Sequence, residues 1–578
     1  MKTYGIYKRQ GLSLYDLTAI ICIAFLLYGV IATAKRWSGD LTPSAPISLS
    51  LKELPLYAVY SLFRASIAYI LSFIFAIVVG YAAAKNKMAE KIILPLLDIG
   101  QSLPVLGFLP GLVLGLIALF PKNNFGLEHA CIIMIFTSQT WNMCFSFYSS
   151  VKAVPESIQE MGTIVGLSRI QRLFKIELPY SATGLAWNSL VSMAGGWFFL
   201  TVCEAFTLEN KNFRLPGLGS YMAIAIENGN TQAIFFGIVA MLAVIILMDF
   251  VIWRPIIAWT SKFQLDNSSE SSSTEIPFMS LLLKESPVVQ ELLNFLKNIF
   301  SRLGFYSSFF NKKYKPLKIA QQYKSSPKKI YLIKVILISI LCVLSFTVVG
   351  KIYALLITLT KREISLIFIG SFYTFLRVFA ALAIASLWTI PIGIFIGSSP
   401  KWTRIFQPII QIIASFPAPM IFPLVLIILQ FFGIRMGAGA CFLMLIGVQW
   451  YLLFNVLAGA IGISHQLRDS FRLMGVSKKQ TWLKLYLPSI FPSLVTGWIA
   501  AAGSAWNASI VAEYIQSQGT TLSTLGLGAL ISDATAKANY GVLTASLLLM
   551  IGIVIITNRL LWQPLLQFSE NRFPMEQR

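Results

Sequence analysis

Charge is scarce in this chain: only 12% of its 578 residues are Asp, Glu, Lys or Arg, where a soluble domain carries roughly a quarter. That shortage excludes an ordinary water-soluble globule. Histidine is rarer still: His129 sits at the edge of a predicted external loop and His465 beside a predicted internal one. Two isolated histidines make neither a metal site nor a catalytic pair. The six cysteines, Cys22, Cys131, Cys144, Cys203, Cys342 and Cys441, fall in or beside apolar runs without metal-ligand spacing and read as small core hydrophobes. No Gly-x-x-x-x-Gly-Lys-Ser/Thr loop occurs, since the one Gly-Lys pair, Gly350-Lys351, runs on into Ile352. The residues therefore offer no catalytic constellation, no bound cofactor or metal and no ATP-hydrolysing engine.

What is present is apolar. Hydrophobic residues make up 56% of the chain, and runs such as Leu17 to Ala34 and Val542 to Thr557 approach the ~20 residues that a membrane-crossing helix needs. Barrel strands would instead alternate apolar and polar residues in segments of about ten. The net charge of +22 does not mark a nucleic-acid binder, because Lys and Arg punctuate the gaps between apolar runs. Positive-inside topology accounts for them.

The sequence repeats itself. Arg64, Gly80, Pro95, Pro104 and Pro110 match Arg377, Gly393, Pro408, Pro417 and Pro423 at one constant offset. After a four-residue difference near Phe120 a second offset pairs Trp141 with Trp450, Gly166 with Gly475 and Pro179 with Pro488. It continues through Trp197 and Trp506, Glu204 and Glu513, and Trp253 and Trp562. The pattern predicts six crossings per half: 17–34, 60–84, 92–120, 129–149, 181–206 and 233–253, then 330–357, 366–397, 405–430, 437–460, 489–512 and 539–558. An even number makes the repeats parallel, so the fold class is an all-α membrane protein of about twelve spans, an intramolecular pseudo-dimer. With the N-terminus inside, internal segments hold 32 of the 46 Lys and Arg, which places both termini in the cytoplasm.

Three regions follow: a first unit (1–253), a linker (254–329) and a second unit (330–578). The linker contains the low-complexity run "DNSSESSST", which buries no core. Its later part, Val288 to Leu303, gathers apolar residues on one helical face, suited either to the membrane interface or to packing on the protein itself. The first run ends in Ala32-Thr33-Ala34, which mimics a signal-cleavage site. It is longer than the usual signal core and has a counterpart in the second half, so a retained helix is expected.

Between the fourth and fifth crossings each half carries a charged loop, "VPESIQEMGTIVGLSRIQRLFKIELP" and "ISHQLRDSFRLMGVSKKQTWLKLYLP". Ser157 to Met161 predicts a short helix, Gly162 and Gly166 a turn, and Ser168 a cap for a second helix that Pro179 stops. Asp469, Gly475, Ser477 and Pro488 repeat that logic, giving two helix-turn-helix loops on the cytoplasmic side. The spacing from Glu160 through Gly162, Gly166, Ile176 and Leu178 to Pro179 resembles the EAA loop of binding-protein-dependent ABC importer permeases. Asp469, Gly475, Leu485, Leu487 and Pro488 keep the same spacing, although neither copy has the double alanine and the second has Asp for Glu. The resemblance implies a type I importer permease in the bacterial inner membrane, fused from two units. It further implies that these residues dock two cytoplasmic ABC ATPase subunits, a homodimer that uses ATP and Mg. "SFPAPMIFPLVLIILQFFGI" and "VAEYIQSQGTTLSTLGLGALI" resemble the nitrate, sulfonate, taurine and bicarbonate group, which implies a small, often anionic solute delivered by an extracytoplasmic binding protein.

Proline-rich third crossings, around Pro104 and Pro417, are expected as kinked helices near the central axis. Polar residues in spans are costly and hence candidates for the pathway. These are Gln139, Trp141 and Asn142 in the fourth crossing of the first half, and Gln449, Trp450 and Tyr451 in the second. Trp197 with Glu204, and Trp506 with Glu513, lie two turns apart on the fifth crossings, as pathway residues or as interfacial anchors at the outer end. A proton-coupled transporter of the major facilitator type is the rival reading. Its loop motif is missing between crossings two and three, and Asp98 and Asp249 are matched at the equivalent positions by Gln411 and Asn558 rather than by acids.

Overall fold

The computed structural model describes residues 28–209, 211–263, 339, 343, 346–517 and 520–572. Most of the first crossing of the first half, half of that of the second, Cys22, Cys342, and the linker from 264 with its Val288–Leu303 segment lie outside the described residues. Among the described residues, eight helices are long and apolar enough to cross a membrane, or ten when each of two bent pairs counts as one span. They coincide with the crossings expected from the repeat. In the first half they are Leu54–Lys85, Phe125–Lys152, Leu178–Glu204 and Thr231–Met248; in the second, Lys361–Gly397, Met436–Ile461, Leu487–Ala512 and Tyr540–Thr557.

Such helices are apolar all round because one side meets lipid and the other meets protein, and only intrahelical bonds satisfy the backbone in either setting. The share buried separates the two roles. It is 28% for Leu54–Lys85 but 61% for the span ending at Glu204, so the former faces lipid and the latter sits centrally. Buried side chains of both halves, among them Ile135, Trp197, Val448 and Trp506, form one continuous core.

The third crossings differ from expectation. Each is a helix pair bent by 88°, not a kinked rod. Leu103 and Phe416 adopt extended backbone, with ψ 140 and 129, because a residue preceding proline is pushed out of the helical region. Pro104 and Pro417 therefore break the chain, whereas Pro95 and Pro408 sit inside continuous helix. The detached helix Lys87–Ser102 packs against Tyr540–Thr557 of the other half, and Pro400–Ser415 packs against Leu178–Glu204. The halves thus embrace by exchanging their third crossings.

Two short antiparallel hairpins, Ala205–Leu208 with Lys211–Arg214 and Tyr514–Ser517 with Thr520–Ser523, follow the fifth crossings at equivalent positions. They meet each other: Thr207 Oγ1 lies 3.4 Å from Gln516 Oε1, and the Tyr540 hydroxyl donates to Glu209.

Candidate functional site

At one end of the bundle are the two charged loops. Helix Glu156–Ile164 turns at Gly166 (φ 74), and helix His465–Leu473 turns at Gly475 (φ 63). Both angles lie in the left-handed region where a side chain is strained. Gly162, expected to help the turn, is helical and buried instead. A methyl there would come within 2.7 Å of Ile176 Cδ1, so its smallness lets the two arms of the loop close. Ser168 caps Arg169–Arg172 through a reciprocal pair with Gln171, and Ser477 caps Lys478–Thr481.

Pro179 does not stop the second helix, nor does Pro488. The chain passes through a single wide turn, Leu173–Glu177 or Trp482–Tyr486, into the next span. The amides of Leu178 and Leu487 reach back five residues, to the carbonyls of Leu173 and Trp482. A turn that skips one rung needs no donor from proline, so helix continues where a stop was expected. Loop and span are one continuous helical body, Arg169–Glu204 or Lys478–Ala512.

Within the loops Glu160 and Asp469 are exposed, Leu485 is buried, and Ile176, Leu178, Pro179, Leu487 and Pro488 are half-buried. Lys85 Nζ sits 2.5 Å from Glu177 Oε1, and Arg468 donates to the carbonyls of Ser398 and Ala460, so each loop is tied to its own bundle. Equivalent positions carry apolar side chains that stay uncovered among the described residues: Ile164 is 85% and Leu473 88% exposed, beside exposed Val165 and Met474.

Between the halves lies a cavity of about 140 Å³. Of the candidates, it brings together Trp141, Asn142, Trp450, Tyr451 and Trp506. Pro104, Pro417, Gln139, Trp197, Gln449, Glu204 and Glu513 are not on its wall. Gln139 is buried against Met193, and Trp197 is packed in the core. Gln101, Ser504 and Asn507 also line the cavity, and sequence reading missed them. Asn507 stands where the first half has Phe198, and Gln101 where the second has Ala414, so a polar residue facing an apolar counterpart was the available signal.

Glu204 and Glu513 serve as buried clamps near the hairpins. Arg64 holds Glu128 with two bonds, at 2.6 and 2.9 Å, and Glu204 at 2.7 Å. Glu204 also accepts from Ser61 Oγ and the Gly219 amide, both at 2.7 Å. Arg377, Thr374 and Gly528 do the same for Glu513. Glu128 has no acidic counterpart, because Gly437 stands there and offers only its carbonyl to Arg377. The carboxyls of Glu204 and Glu513 fill the space where side chains at Gly217 and Gly526 would project. Fully buried charges persist only when paired and hydrogen-bonded in this way.

The unmatched acids meet across the halves. Asp98 Oδ2 accepts from Asn558 Nδ2 at 2.9 Å and Gln563 Nε2 at 3.0 Å. Asp249 accepts from Gln411 Nε2 at 2.5 Å and is paired with Arg254 Nε at 2.9 Å. Asp98 corresponds to Gln411, and Asp249 to Asn558. Each of the two symmetry-related sites therefore sets one carboxylate against the amide at the paired position, with Gln563 beside the first and Arg254 beside the second.

Two homologous helical bundles that exchange broken third crossings around a shared cavity, with a tethered surface helix on each, define a multi-pass membrane permease. The profile of the family described as "Binding-protein-dependent transport system inner membrane component" matches residues 72–252 and 389–561, more than half of the chain. The chain belongs to that family, as a tandem of two of its units. It is 28% identical over 163 residues to the nitrate import permease protein NrtB of Synechocystis, covering 28% of this chain and 56% of the relative. Identity is 27% over 164 residues to the bicarbonate transport system permease protein CmpB of Synechococcus elongatus, covering 28% and 55%. It is 28% over 158 residues to the taurine transport system permease protein TauC of Escherichia coli, covering 27% and 54%. The chain spans little more than half the length of each of these relatives.

Proposed function

We propose that this chain is the complete translocation pathway of an ATP-binding-cassette importer, its two halves, joined by the linker 254–329, replacing two separate permease subunits. Both charged loops face the cytoplasm of a bacterial cell, as the distribution of Lys and Arg favours. There they dock two copies of an ATPase subunit, which binds ATP and Mg. An extracytoplasmic binding protein delivers the solute at the hairpin end, where a cavity of about 510 Å³ lies between the hairpins. The small anionic solute that the family resemblance suggests finds weaker support, since no Lys, Arg or His among the described residues lines the central cavity.

One observation carries this reading: Ile164 and Leu473, at equivalent positions on the two loops, leave most of their surface uncovered by described residues. Apolar side chains held out on tethered helices mark a protein contact. Burying one such side chain is worth roughly 1.5–3 kcal/mol, so losing both weakens docking more than 100-fold. The Ile164→Asp/Leu473→Asp variant is therefore expected to reach the membrane normally yet fail to co-purify an ATPase subunit. Undiminished co-purification defeats the proposal.

A further inference from the structure

We propose that the central cavity accommodates a neutral, planar heteroaromatic solute carrying a hydrogen-bond acceptor and a donor, an inference that rests on the permease reading. Nine aromatic rings line the cavity and, among the described residues, not one Lys, Arg or His does. An anion entering it would exchange its hydration for ring faces, which present negative charge, with no cation to compensate. A cation fares better against rings, but Asp98, the one acid on the wall among the described residues, has its Oδ2 committed to Asn558 and Gln563. A flat uncharged ring loses little on leaving water and stacks on any of these faces.

Two polar atoms specify those groups. The Trp141 Nε1 donor and the Asn507 Oδ1 acceptor are buried and have no hydrogen-bond partner among the described residues. Asn507 is only 7% exposed, and its Nδ2 is held by the carbonyls of Leu103 and Gly503 at 3.3 and 3.2 Å. Asn507 and Trp141 both line the cavity. A buried donor and acceptor left unmade are costly. A neutral ring carrying one acceptor and one donor can meet these groups, whereas nitrate has no donor and bicarbonate brings charge.

The test uses the full chain in lipid nanodiscs and saturation-transfer NMR. Cytosine and nicotinamide serve as neutral planar probes, and acetate, taurine and tetramethylammonium as charged ones. Transfer is expected to the ring protons alone. Trp141→Phe, which keeps the ring but removes the donor, and Asn507→Leu are each expected to weaken ring binding about tenfold. If Asn507→Leu does not fold, Trp141→Phe alone decides. Tighter binding of any charged probe, no ring binding up to about 10 mM, or ring binding unchanged by Trp141→Phe overturns the proposal. An ATPase that still co-purifies with a chain indifferent to rings would sink the solute class and leave the permease reading standing.

Discussion

Replacing Asn558 by aspartate sets a second carboxylate against Asp98, where an amide nitrogen now stands 2.9 Å from Oδ2. Two unit charges about 4 Å apart repel by about 4 kcal/mol at the effective dielectric of a protein site, and one hydrogen bond worth about 1 kcal/mol is lost as well. Asp98→Asn leaves only amides, which can reorient around Asn558 and Gln563, and is expected to cost only about 1 kcal/mol. The decisive variant combines them: Asp98→Asn/Asn558→Asp restores one carboxylate and one amide with their positions exchanged. It is expected to recover all but about 1 kcal/mol, a coupling that only contacting residues show. Apparent melting of the purified chain in detergent, followed by tryptophan emission, reads all four proteins. If Asn558→Asp melts like the parent, or the double variant is no better than Asn558→Asp, the complementarity of this site is refuted.

At the related site, Gln411→Glu should destabilise less than Asn558→Asp in the same assay, because Arg254 already shares Asp249. Arg64→Met strands two buried carboxylates and is expected to cost about 3–5 kcal/mol. Arg377→Met should cost less, since Arg377 is 11% exposed and holds one carboxylate; equal losses in melting would contradict the asymmetry between the halves. Gly166→Val with Gly475→Val strains both loop turns by about 1–2 kcal/mol each. In proteoliposomes containing the ATPase it should abolish uptake while hydrolysis persists, and normal uptake would exclude a coupling role for the loops.

The register of the duplication was enough to place the eight straight crossings between Leu54 and Thr557, because apolar length and repeated Gly and Pro report directly on a helix in lipid. The local roles of proline were less legible. Pro104 and Pro417 break helices while Pro179 and Pro488 ride through them, and the difference lies in whether the ladder skips a rung at that point. Trp141, Asn142, Trp450, Tyr451 and Trp506 could be placed at the cavity because polar and amphipathic residues stand out in apolar runs. Arg64 and Glu204 each recur in the second half, yet their contact joins residues far apart in sequence and awaited the packing of three helices. The unmatched acids were visible as an anomaly. Two opposite exchanges of acid for amide at paired positions are a record of contact within one chain, once the crossed third segments show that the positions meet.

The wide turns at Leu173–Glu177 and Trp482–Tyr486 carry a mechanical consequence. Leu178–Glu204 is an unbroken rod of 27 residues, roughly 40 Å long, rooted in the surface loop and ending at Glu204. A swing of about 5° at the loop displaces the far tip by roughly 3.5 Å, farther than any bond around that carboxylate can stretch. Arg64, Ser61 and the Gly219 amide must therefore travel with the tip as one block, and what is pushed at one surface of the membrane is delivered undiminished at the other.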